Sequence, residues 1–127
     1  MSTAQLRRRY AQDSVTTASP ARLVTMLYDR LARDLATAEL ALSVPDVPAA
    51  HQALRHAQDI VAELAGSLRP EEWAGGPALA NLYTYLLEQL VAANVHKDVA
   101  LVAGCSAIVE PLREAWHEAA AATGAAS

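Results

Sequence analysis

Residues 19–42 read SPARLVTMLYDRLARDLATAELAL. Ser19 suits a helix N-cap, because its hydroxyl can accept a hydrogen bond from a free backbone N–H. Pro20 suits the first helical position, where a missing N–H costs nothing. Arg22 stands where the acidic partner of a capping box would be. Val24, Tyr28, Leu31, Leu35, Ala38 and Leu42 then recur in alternating steps of four and three, the spacing of one helical face. Arg22, Asp29, Arg30, Arg33, Asp34 and Thr37 are assigned to the opposite side.

The same reading extends downstream. Ser43-Val44-Pro45-Asp46 breaks the helix, and Asp46 is placed to cap the next. Ala50, Leu54, Ala57, Val61, Leu64 and Leu68 repeat the apolar spacing, with Gln52, Arg55, His56, Asp59 and Glu63 mostly opposite. Residues 69–76 read as a loop, and Gly75-Gly76-Pro77 restarts a helix. A single helix from there to the C-terminus would be long for a small domain. A third helix is therefore expected to close on Asn94 as C-cap, with a short turn over Val95 to Lys97 and Asp98 capping a fourth. Leu101, Cys105, Ile108, Leu112 and Ala115 form the fourth stripe, flanked by Val102, Val109 and Trp116. Pro111 within it predicts a kink or break. The fold expected is all-α, an antiparallel four-helix bundle. Residues 1–17 form an N-terminal tail, helical or extended. The bundle occupies 18–121, and 122–127 form a disordered C-terminal tail.

The chain has 127 residues, enough for one core, and a net charge of −4. That balance disfavours a nucleic-acid binder, and the basic run Arg7-Arg8-Arg9 reads as a solvated tail. Hydrophobic residues make up 53% and charged ones only 19%. Two readings stand: alanine enrichment of helix surfaces, or apolar area reserved for a partner. One cysteine, Cys105, excludes an internal disulfide and fits a reducing compartment. No stretch suits membrane insertion, and no signal-peptide hydrophobic region opens the chain. A cytoplasmic protein is expected.

The chemistry of a reaction centre is sparse. His51 and His56 are five apart and face different ways on a helix. Glu114-x-x-His117 has di-iron spacing but lacks the second motif and the inward glutamates such a site needs. Cys105 falls in an apolar stripe, as an inert buried thiol does. Gly75-Gly76-Pro77 lacks the lysine and hydroxyl of a phosphate loop. The expectation is a non-enzyme without metal, cofactor or small-molecule substrate.

The third helix carries two adjoining stripes, Leu79/Leu82/Leu86/Leu90/Ala93 and Ala80/Tyr83/Leu87/Val91/Asn94. They cover a wider arc than one seam requires. Either the helix is central and touches two neighbours, or part of the arc lines a groove for a foreign amphipathic helix. Tyr83 and Tyr85, apolar with a wet tip, suit an interface as well as a core edge.

Three blocks in order resemble the flagellar chaperone family FliS. They are Tyr10 through Val15-Thr-Thr-Ala-Ser-Pro20 into Leu23-Val-Thr-Met-Leu-Tyr-Asp29; Gly75-Gly76 through Asn81-Leu82-Tyr83-x-Tyr85 to Ala93-Asn94 and Lys97-Asp98; and Leu112-Arg-Glu-Ala-Trp116. Arg30 stands where many members carry Gly. The resemblance implies a bundle that binds the C-terminal helical segment of flagellin in the cytosol, prevents premature polymerisation and delivers it to the type III export apparatus. Ile60, Leu64, Tyr83, Leu87 and Val91 are the groove candidates. Tyr10, with Leu6, is the candidate contact to an export-gate protein or cap of the groove. The alternative is a generic helical-bundle adaptor or regulatory protein with another helical partner.

Overall fold

The computed structural model describes residues 2–5 and 20–123. Four long helices follow one another: α1, Pro20–Ser43; α2, Val47–Ser67; α3, Gly76–His96; α4, Val99–Ala122. A short 3-10 turn, Pro70–Glu72, lies between α2 and α3. Residues 3–5 form a helical turn. It opens on a reciprocal capping box: the Ser2 N–H donates to Gln5 Oε1 (2.9 Å) and the Gln5 N–H to Ser2 Oγ (3.1 Å). Leu6, Tyr10 and the Ser19 cap lie outside the described residues.

Side-chain bonds fix the direction of each helix against its neighbours. Asp34 pairs with His56 across α1 and α2, and His51 Nδ1 lies 3.2 Å from Asn94 Oδ1 across α2 and α3. Asp29 binds Arg113 and His117 across α1 and α4. With only short turns at 44–46 and 97–98, successive helices run antiparallel, and α4 closes the ring on α1. Tyr28, Leu31 and Leu35 of α1, Leu54 and Val61 of α2, Leu86 and Leu90 of α3, and Val102 and Val109 of α4 fill the interior.

Local chemistry explains the helix ends. Asp46 caps α2 by accepting from the Ala49 N–H at 3.2 Å, and Asp98 caps α4 by accepting from the Ala100 N–H at 2.9 Å. Gly76 starts α3 against the Pro70 backbone, where any Cβ would collide with the Pro70 carbonyl.

Several expectations are corrected. α3 does not stop at Asn94; it continues to His96, and Lys97 is the C-cap in the left-handed region (φ 50°). The Lys97 ammonium folds back to donate to the Asn94 carbonyl and to Asn94 Oδ1. It thereby supplies the last turn with a donor and a positive charge at its negative end. Asn94 is buried beneath it. Asp34, assigned to the polar side of α1, is buried because His56 and Arg30 reach it. α4 is one unbroken helix through Pro111. Pro111 and Ala107 are both exposed, so the carbonyl that loses its partner faces water. The α4 core face is also rotated: Val102, Cys105, Val109 and Ala120 are buried, whereas Leu101, Ile108 and Leu112 are half-buried.

Candidate functional site

The rotation of α4 leaves apolar surface over. Among the described residues, no side-chain hydrogen bond or ion pair joins α3 to α4, and this is the least extensively packed of the four seams. At its lower end, near the start of α3 and the end of α4, lies an open trough of about 400 Å³. Leu79 and Leu82 of α3 and Leu112, Trp116 and Ala119 of α4 line it, with Trp73 at its mouth. Ala78 and Ala115 also face it. Small residues there leave unfilled the space that a leucine would occupy in a closed seam. Trp73 is 48% exposed.

Trp116 joins the trough to an aromatic cluster in the core. Trp116 packs against Tyr28 with ring centroids 6.2 Å apart, and the Tyr28 and Tyr83 hydroxyls lie 2.7 Å apart, buried. Burial raises the Tyr28 hydroxyl above the ordinary tyrosine value, partly offset by hydrogen bonding with Tyr83 and Trp116. Burial and the bond to Tyr28 raise Tyr83 further. Both rings stay neutral and can share a hydrogen bond across the core.

Beside this cluster, α1 and α4 are clamped by charge. Arg113 Nε and His117 Nε2 each lie 2.7 Å from Asp29 Oδ1, and Arg113 Nη1 donates to Glu110 Oε1 at 2.8 Å. For Asp29, partial burial raises the carboxyl, but His117 and Arg113 outweigh it and hold the group below the ordinary carboxylate value. Of the Glu114-x-x-His117 pair, His117 thus serves a helix clamp and Glu114 stands exposed outside it. Among the described residues, no group of three His, Cys, Asp or Glu side chains is placed to hold a metal ion. Burial pushes the Cys105 thiol up to about 11, away from nucleophilic use.

A second cavity, about 560 Å³, lies between α1 and α2. Leu23, Met26, Leu27 and Ile60 give it an apolar lining, Asp29, Arg30, Arg33, Asp59 and Glu63 are its charged lining residues beside His56, and Ser2 and Thr3 lie against it.

The five groove candidates do not share one surface. Leu64 and Tyr83 are buried in the core. Ile60, also buried, borders the α1–α2 cavity. Leu87 is half-buried and Val91 is 50% exposed. Helical spacing puts Leu87 and Val91 on the flank of α3 that faces α2, away from Leu82 and the trough. Leu82, Leu112 and Trp73, which line the trough, are not among those five candidates. The available signal was tryptophan itself: the chain has two, and both line the trough.

Among the described residues, no helix is long and apolar enough to cross a membrane. A helical bundle with an open apolar seam beside an aromatic cluster is in the class of helical binding proteins, since it offers a surface for another chain's side chains. Sequence comparison gives the family: the model described as "Flagellar protein FliS" matches residues 2–123, and the chain belongs to this family. It is similar to the flagellar secretion chaperone FliS of Salmonella typhimurium, 32% identical over 124 residues that cover 93% of this chain and 92% of the relative. It is likewise similar to the flagellar secretion chaperone FliS of Bacillus subtilis, 31% identical over 110 residues, 87% of this chain and 82% of the relative. The protein of that name from Campylobacter jejuni is 29% identical over 112 residues, 86% of each chain.

Proposed function

We propose that this chain is a flagellin-specific export chaperone of the cytosol, acting by binding and not by catalysis. It holds the C-terminal helical segment of flagellin, prevents that segment from polymerising early and presents the complex to the flagellar type III export apparatus. The observation that carries this reading is the family match across all four helices. The open α3–α4 seam supplies a physical means. An unpolymerised flagellin terminus exposes an apolar stripe, and covering it contributes roughly 25 cal/mol per Å² removed from water. The cost of ordering the segment offsets much of this, so affinity depends on a few well-buried anchors rather than on total area.

On this reading, bound helices lie along the flanks of α3, on Leu82 and Leu112 at one side and on Leu87 and Val91 at the other. Leu6 and Tyr10 serve docking at the export-gate protein. Replacing Tyr10 with alanine is expected to lower flagellin export while purified chaperone keeps its flagellin affinity; equal loss of both would place Tyr10 in the flagellin groove.

Titration calorimetry with the flagellin C-terminal segment tests the function directly. Saturable binding at micromolar concentration or below is expected. Absence of binding there would favour an adaptor with a different helical partner.

A further inference from the structure

We infer that the α3–α4 trough selects a partner segment whose apolar stripe is flanked by lysine or arginine. The charge of this molecule is unevenly placed. Residues 70–123 carry seven carboxylates against Lys97 and Arg113, a balance of −5, more than the −4 of the whole chain. Both cations are engaged: Lys97 covers Asn94, and Arg113 is held between Asp29 and Glu110.

Four of the six other acids lie near the apolar trough, whereas Asp98 caps the far end of α4. Glu118 is exposed one helical turn from Ala115, and Glu114, also exposed, immediately precedes Ala115 in sequence. Glu71 and Glu72 are exposed in the 3-10 turn that leads directly to Trp73 at the mouth. None of these four has an ion pair among the described residues. An uncharged groove whose rim is mainly acidic, Arg69 being the exposed cation beside the 3-10 turn, admits aliphatic side chains and orients the segment that brings them, because flanking cations meet unpaired carboxylates and flanking anions are repelled. The α1–α2 cavity differs, since Arg30 and Arg33 share its lining with Asp29, Asp59 and Glu63.

The proposal rests on the chaperone reading only for the identity of the biological partner; the charge preference belongs to the trough itself. Two synthetic helical peptides test it, sharing one leucine stripe and carrying either lysines or glutamates along its flanks. The full chain is expected to bind the lysine peptide at least about fivefold more tightly at low salt, with the difference fading as salt is raised. The double variant Glu114→Lys, Glu118→Lys should reverse the order. Ala115→Gln, which crowds the trough from an exposed position without touching the core, should weaken the lysine peptide while leaving the thermal melt unchanged. Equal affinity for the two peptides, preference for the glutamate peptide, or a preference unmoved by either variant overturns the inference. A lysine preference that survives these tests, in a chain that ignores the flagellin segment, would sink the chaperone reading and leave this one standing.

Discussion

Tyr28 and Tyr83 lie on helices that share no extensive interface, yet their hydroxyls meet in the core. Each hydroxyl is removed from water, so Tyr83 relies on Tyr28 for a partner, while Tyr28 also meets Trp116. Changing either to phenylalanine is expected to destabilise the chain by about 1 kcal/mol. The double variant should cost less than the sum, leaving a coupling of about 1 kcal/mol by denaturant melts. Strict additivity would mean that the two hydroxyls do not interact. Asp29 gives a second expectation. The fold holds its carboxyl below the value it has in an unfolded chain. Its contribution is therefore complete above about pH 4 and is lost as pH falls through the folded value, the unfolded state there binding more protons. Because the group is about one-third exposed, the effect is modest and salt-sensitive. Asp29→Asn should lower the melting temperature at pH 7 and flatten its fall on acidification; parallel curves for variant and wild type would remove Asp29 from the account.

At the scale of the helix, α1 and α2 were legible because each carries one continuous apolar stripe, even though Leu23, Met26 and Leu27 lie beside that of α1. Tyr28, Leu31, Leu35, Leu54, Ala57 and Val61 are buried as their spacing required. α4 was less legible because its apolar residues cover two adjoining stripes, and periodicity cannot say which of two oily faces turns inward. Val102, Cys105 and Val109 won that competition on the side packed against α1, and Leu101, Ile108 and Leu112 were left at the edge, Leu112 lining the trough. Lys97 was illegible for another reason: a left-handed cap usually draws glycine, and only the fold-back of its ammonium onto Asn94 offsets the backbone cost. Pro111 lies in an unbroken helix with its ring toward solvent, so the cost there is a missing hydrogen bond and a crowded turn, not a lost contact. Pro111→Ala is accordingly expected to stabilise the chain by about 1–3 kcal/mol and to raise its melting temperature by several degrees. An unchanged or lower melting temperature would show that Pro111 costs this helix nothing where it stands.

For the molecule as a whole, α3 is the pivot, packed against α2 on one side and bordering an open seam with α4 on the other. A flagellin segment that uses both flanks must pass around α3, and its two halves then act as tethered ligands whose combined affinity exceeds either alone. Val91→Asp probes the flank remote from the trough. The residue is half exposed and far from the sealed interior, so the substitution introduces no buried charge. Flagellin-segment affinity is expected to fall at least about tenfold, the cost of a buried anchor turned polar, while the chain still melts in one transition near the wild-type temperature. Leu64→Asp is the contrasting case: Leu64 is 5% exposed, within the core, and a charge there should abolish cooperative melting altogether. If Val91→Asp leaves binding unchanged while Ala115→Gln impairs it, the segment occupies the α3–α4 side alone, and the apolar width of α3 toward α2 serves packing rather than recognition.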